Sequence, residues 1–244
     1  MQLPIVEPAP VVLEHTLVFR DLFENCKQFR HFQNYLTGLL VLDNKTMANM
    51  SRCILDSADK TNLSRFFSKA EWFEEEINAR RIEHLLEQTE VQRGPAAESC
   101  LIIDDTLCEH VGSLFEYIER HYNHCDNTYP LAHNLVTSHY ISDAVRFPVD
   151  VRMYRRYEEL THWERFVKKH FPGREIPKRK KERAKLHKEV DAVLMEDEEF
   201  CALAQEFQTK ITLAMELIEQ AIARKLPFQT VLMDSWFLSP ELVK

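Results

Sequence analysis

Apolar positions along this chain follow two different periods. In the first third they recur every three or four residues, the spacing of helices that bury one face. The helices so predicted are Phe19 to Leu42, Lys45 to Leu55, Asn62 to Phe67 and Glu71 to Glu90, the last with Phe73, Ile77, Ile82, Leu85 and Leu86 on its apolar side. An arm holding Pro4, Pro8 and Pro10 precedes them and reads as extended, and Gln92-Arg93-Gly94-Pro95 closes the last helix. The pattern divides the chain into an all-helical N-terminal domain, residues 1–95, and a second domain, residues 96–244.

The second domain opens and closes with short unbroken apolar runs that end in acids: Cys100-Leu101-Ile102-Ile103-Asp104-Asp105-Thr106 and Thr230-Val231-Leu232-Met233-Asp234-Ser235. Such runs predict strands buried on both faces. Between them, Asn134 to Tyr157 reads as a hairpin turning near Ser142-Asp143-Ala144; in its second strand Phe147, Val149, Val151 and Met153 alternate with Asp150 and Arg152. One long helix is then predicted between Phe200 and Leu226, on a stripe of Phe200, Leu203, Phe207, Ile211, Ala214, Leu217, Ile218, Ala221 and Ile222. The element order is strand with Asp, hairpin, helix, strand with Asp, which is an α/β pattern.

In open α/β sheets ligands sit beyond the carboxyl ends of the strands. If the two Asp-ending strands are parallel neighbours, their carboxylates approach each other, and a cation offsets the repulsion. A divalent metal site is the economical reading. An Asp after an apolar strand is also a turn starter or helix cap, and for either run alone that plainer reading stands.

The residues Ile102-Ile103-Asp104-Asp105-Thr106, the tract Arg120-His121-Tyr122-Asn123-His124-Cys125 and Val231-Leu232-Met233-Asp234-Ser235 resemble segments of bacterial insertion-sequence transposases of the DDE superfamily. The resemblance is closest to the branch with an inserted β domain before its last acid, and covers most of the chain from about Thr61 onward. It implies a ribonuclease-H-like mixed sheet with flanking helices, in which the first and fourth strands are adjacent and parallel. By this resemblance Asp105, directly before Thr106, is the first catalytic and metal-binding acid, and Asp234 is the second. Asp104 then faces the opposite side of the strand.

The family's third acid is a Glu on a helix beyond the inserted domain. Glu241 follows Asp234 too closely to be that residue, and Glu216 and Glu219 read as the solvated face of the preceding helix. The resemblance therefore implies the front portion of a transposase, a chain that binds element-end DNA in a salt-sensitive manner with little Mg²⁺-dependent nicking. The implied chemistry is two-metal phosphodiester cleavage and strand transfer with Mg²⁺ or Mn²⁺. Implied partners are DNA and a second copy of the chain, as a homodimer on DNA. The alternative is a truncated protein that only binds DNA or dimerises. A phosphohydrolase with an Asp nucleophile fits less well, because it wants a spacer between two acids where Asp104 and Asp105 are adjacent.

Charge is uneven. The formal net charge is −8, yet Arg174, Lys178, Arg179, Lys180, Lys181, Arg183, Lys185 and Lys188 stand against only Glu175 and Glu182, a local balance of +6. Such a run is either a solvated face or a contact to the DNA backbone. The resemblance also implies terminal-repeat binding by the helical domain, where Asn62 and Arg65 lie beside the apolar Leu63, Phe66 and Phe67.

The six cysteines lack paired spacing and read as reduced. His121, His124, Cys125, His133 and His139 offer a zinc alternative, but without the paired knuckles of structural zinc sites. None of the four glycines lies in a GxGxxG or Walker loop, so no nucleotide cofactor is expected. With no leader pattern and no apolar stretch near eighteen residues, a cytoplasmic protein without a membrane contact is expected. Trp236 beside the second acid either packs on the sheet or faces a nucleobase.

Overall fold

The computed structural model describes residues 4–55, 60–71, 73–89, 98–112, 114–240 and 242. The chain divides into two compact units, Met1–Gln92 and Arg93–Lys244.

The first unit is helical: α1 (Pro10–Thr16), a 3-10 turn (Leu17–Leu22), α2 (Cys26–Val41), α3 (Met47–Cys53), α4 (Lys60–Lys69) and α5 (Glu74–Gln88). Pro10, expected in an extended arm, is the first residue of α1, where a missing N–H costs nothing. The single helix expected from Phe19 to Leu42 is interrupted before α2. Asn25 is extended and its side-chain oxygen accepts from the Lys27 and Gln28 N–H groups, which starts a new helix. Phe19, Phe23, Phe29, Phe32 and Phe66 form one buried cluster, and Leu42, Met50, Ile54 and Leu63 another. Gly38 lets α2 and α3 meet: a Cβ there would lie 2.7 Å from Met50 Cγ. The residues Gln92 to Pro95, expected to end the last helix, lie outside the described ones.

The second unit is built on a mixed sheet of β1 (Cys100–Glu109), β2 (Glu119–Arg120), β3 (Leu131–Ile141), β4 (Arg146–Tyr154) and β5 (Thr230–Met233). β3 lies between β1 on one side and β4 with the short β2 on the other, all antiparallel to it. β5 joins the far edge of β1 in parallel, from Cys100 opposite Thr230 to Ile103 opposite Met233. This is the ribonuclease-H-like mixed sheet, with the first and last strands adjacent and parallel.

Two expectations for this unit are corrected. Val151 and Met153 do not share the buried face of Phe147 and Val149; they are 47% and 42% exposed. His139 pairs with Pro148 but Ser138 with Asp150, so Val149 is one residue too many on β4. Such a bulge reverses the alternation, and Asp150 and Arg152 turn toward Arg224 and Gln220 instead. The long helix expected from Phe200 to Leu226 is two, α9 (Glu198–Gln205) and α10 (Lys210–Ala223). Thr209 caps the second: its hydroxyl accepts the Thr212 N–H at 3.1 Å. α10 packs on β3 and β4 with Leu213, Ala214, Leu217 and Ala221 buried.

Between β4 and α10 lies a helical insert: α6 (Tyr157–Leu160), α7 (Trp163–His170), α8 (Lys180–Leu194) and α9. Its small core holds Trp163, Phe166, Val167, Leu186, Val190, Leu194 and Phe200. Polar groups close over it. The fully buried Trp163 donates its indole N–H to Asp191 Oδ1 at 2.7 Å, and the His187 ring stacks on it at 4.0 Å. His187 reaches Asp191 (2.9 Å) through Nδ1 and Glu158 (2.8 Å) through Nε2. Burial pushes the Glu158 carboxyl up, but bonds from Arg183 and His187 outweigh it and hold the group below its ordinary range.

Candidate active site

Pairing explains how β1 and β5 bring their acids together. β5 stops at Met233 opposite Ile103, so on that edge Asp105 lies just past the strand tip even though β1 itself continues to Glu109 along β3. Asp105 and Asp234 line a single cleft of about 840 Å³, together with Asp104, Asn134, Lys210 and Trp236. Tyr122, Asn123, His124 and Cys125 also line it. Asp105 shares the side of the sheet taken by Leu101 and Ile103, whereas Asp104 points the other way with Ile102 and Thr106 and also borders a groove on the opposite face.

Neither acid is a helix cap. The Asp234 side chain makes no capping bond to the 3-10 turn that follows it, Ser235–Phe237, and accepts only from Ser235 Oγ at 3.3 Å among the described residues. Asp105 carries an ion pair instead: Lys210 Nζ lies 2.5 Å from Oδ2. That ammonium sits 5.1 Å from the Tyr154 ring centroid and 5.4 Å from that of Trp236, within cation–π range. Trp236 stacks on the buried Phe237 at 3.9 Å and stays 43% exposed. Burial raises the Tyr154 hydroxyl pKa, reinforced by the charge of Glu119.

Asn134 completes the cleft. It is 6% exposed, and its buried Oδ1 has no hydrogen-bond partner among the described residues. An unsatisfied buried acceptor costs on the order of 1–3 kcal/mol, so it marks a place where a donor or cation is wanted. Sequence reasoning found neither Asn134 nor Lys210. The available signals were the Thr209 cap before an apolar stripe, which starts α10 at Lys210, and the alternation of Ala132, Asn134 and Val136 along β3.

The other residues singled out by sequence lie elsewhere. Lys178, Arg179, Lys180 and Lys181 are exposed at the start of α8, with Arg179 within 3.7 Å of Glu182. Arg183 is inside the insert's ion network: it holds Glu158 and Glu164 and lies 5.1 Å over the Trp163 ring. Its bonds to Glu158 and Glu164 outweigh burial and push its pKa further up. Asn62 and Arg65 lie on the exposed side of α4 in the helical unit. The histidines of the zinc alternative scatter: His121 is buried, His124 lines the cleft, His133 bonds His110 at 2.9 Å, and His139 borders the opposite groove. Among the described residues no three His, Cys, Asp or Glu side chains are grouped to hold a metal. Glu241 lies outside the described residues.

A ribonuclease-H-like sheet whose adjacent parallel strands deliver two carboxylates to one cleft defines the class. The family model described as DDE superfamily endonuclease matches residues 18–244, and the chain belongs to that family. No curated protein and no solved structure matches it. Endonucleases of this superfamily act on DNA and generally use divalent metal ions. The donor chemistry fits such an ion: the carboxylates of Asp105 and Asp234, hard oxygen ligands, line the same cleft. No described helix is long and apolar enough to cross a membrane.

Proposed function

We propose that the chain carries the DNA-cleaving and strand-transfer centre of an insertion-sequence transposase, with Asp105 and Asp234 as its metal-binding acids. The observation that supports this is their placement on adjacent parallel strands in one cleft. Mg²⁺ or Mn²⁺ bound there would supply Lewis-acid stabilisation of the phosphoryl oxygens and activation of the attacking hydroxyl. Asp105 and Asp234 hold the charge in place. The partly exposed Trp236 lines the same cleft. Lys178, Lys180 and Lys181, outside the insert's ion pairs, are the groups suited to phosphate contact.

A specific observation favours a second reading, a protein that binds DNA without cutting it: Asp105 is already paired with Lys210, and among the described residues no three His, Cys, Asp or Glu side chains are grouped to hold a metal. Incubation of the purified protein with supercoiled plasmid and Mg²⁺ or Mn²⁺ separates the two. Cation-dependent nicking that disappears in Asp105→Asn and Asp234→Asn supports the first reading. Salt-sensitive binding to a duplex without any nicking supports the second, and failure to bind DNA at low salt sinks both.

A further inference from the structure

Lys210 occupies an unusual place for its charge. It is the first residue of α10, the positive end of the helix dipole, where acids are favoured and cations are not. What holds it is specific: Asp105 Oδ2 at 2.5 Å and the faces of Tyr154 and Trp236. Both members of the pair are largely shielded, with side-chain exposures of 19% for Lys210 and 22% for Asp105. Asn134 lines the same cleft, and its Oδ1 is buried without a donor among the described residues, although an ammonium stands in that cleft. The lysine thus satisfies one carboxylate, while Asp234 accepts only from Ser235 Oγ among the described residues.

We propose that Lys210 is the built-in counter-ion of the cation site: its ammonium holds Asp105 in the metal-free protein, and a divalent cation binds only by displacing it. This rests on the reading of Asp105 as a metal-binding acid. Two consequences follow. The pair keeps neighbouring carboxylates from repelling one another when no metal is bound, so the cleft stays assembled. It also weakens the apparent metal affinity by the fraction of time that Asp105 is taken, because only the unpaired form is competent to bind.

The test is Mn²⁺ titration, by electron paramagnetic resonance of free Mn²⁺, of the unaltered protein, Lys210→Met and Lys210→Arg. Lys210→Met is expected to bind Mn²⁺ about five- to tenfold more tightly and Lys210→Arg to stay near the unaltered value. In EDTA, Lys210→Met is expected to melt at a lower temperature, and Mn²⁺ to raise its melting temperature more than that of the unaltered protein. Repeating the titration in 1 M KCl, where the Debye length is about 3 Å, distinguishes contact from diffuse attraction. A gain that persists supports displacement at Asp105, and one that vanishes overturns it. Equal affinity in Lys210→Met and the unaltered protein overturns the counter-ion role while leaving the metal site standing. Absence of Mn²⁺ binding in all three overturns both. Should Lys210→Met fail to fold, Lys210→Gln carries the same comparison.

Discussion

The core around Trp163 and the cleft beside Trp236 are made from the same parts, a tryptophan, a basic side chain over its ring and carboxylates, yet they are suited to different work. Around Trp163, Glu158 receives both Arg183 and His187, Asp191 receives the indole N–H and His187, and the ring itself is fully buried. Every charge has its complement inside the fold. Around Trp236 the ring is 43% exposed, Lys210 satisfies one oxygen of Asp105, and among the described residues Asp234 has only a weak bond from Ser235 and Asn134 Oδ1 has no partner. The comparison teaches that satisfaction, rather than residue type, separates a stabilising polar cluster from one left open to a ligand.

Trp163→Ala is the most severe way to test that division. It empties the centre of the insert and removes the indole donor to Asp191, leaving it His187 alone among the described residues, which predicts a loss of about 3–5 kcal/mol in urea unfolding. Asp105→Asn in the same experiment is expected to cost about 1–2 kcal/mol, because the Lys210 ammonium keeps an amide oxygen and the faces of Tyr154 and Trp236. Equal losses from the two would erase the distinction between the sites.

Activity should respond in the reverse sense. Asp105→Asn and Asp234→Asn are each expected to lower any cation-dependent plasmid nicking by about a hundredfold or more, the scale of losing one preorganised charge-stabilising group. Circular dichroism should stay close to that of the unaltered protein. Nicking that survives both substitutions would locate the chemistry outside this cleft.

What could be read from the sequence follows the range of the interactions. The strands carrying Asp105 and Asp234 were legible because a run of four apolar residues is a local signal, but not their bounds or burial: β1 runs on to Glu109, and β5, with Leu232 46% exposed, is not buried on both faces as such runs predict. Their adjacency came with the resemblance that the family match supports. The break that places Lys210 at a helix start was not, because Phe207 continues the apolar stripe across it and only the Thr209 cap marks the new helix. The face reversal along β4 depends on pairing with β3 and leaves no trace in β4's own alternation. The network around Trp163 joins Glu158, Arg183, His187 and Asp191 across separate helices, a convergence that no spacing rule encodes.

Between the two extremes lies His121, buried next to Tyr122 of the cleft and held mainly uncharged by desolvation, aided by the charges of Arg156, Lys210 and His133, with its pKa lowered to about 4. Glu119 is 3.8 Å away, but its oxygens are bound by Arg155 and the Arg156 backbone and do not keep the imidazole charged. As pH falls below the ordinary value of 6.5, the unfolded chain takes up this proton first, so stability declines down to about pH 4 and the contribution then levels off. The expected loss over that window is about 2–3 kcal/mol. Urea midpoints measured from pH 7 to 4 should fall less steeply in His121→Gln, and identical slopes would remove the assignment.

The smallest effects sharpen the comparison within a single basic run. Arg183 is bonded to two carboxylates, whereas Lys180 and Lys181, at the start of the same helix, are exposed. Arg183→Gln should therefore cost about 1–2 kcal/mol of stability through lost charge-assisted hydrogen bonds, and leave the salt dependence of DNA binding unchanged. Lys180→Gln and Lys181→Gln should alter stability by less than about 0.5 kcal/mol. If they meet phosphate, each should reduce the slope of log affinity against log salt by roughly one unit, measured by fluorescence anisotropy on a labelled duplex. A slope that drops with Arg183 and not with the two lysines would mean that the insert's internal ion pairs open on DNA, and the line drawn between a closed core and an open cleft would have to be redrawn through Arg183 itself.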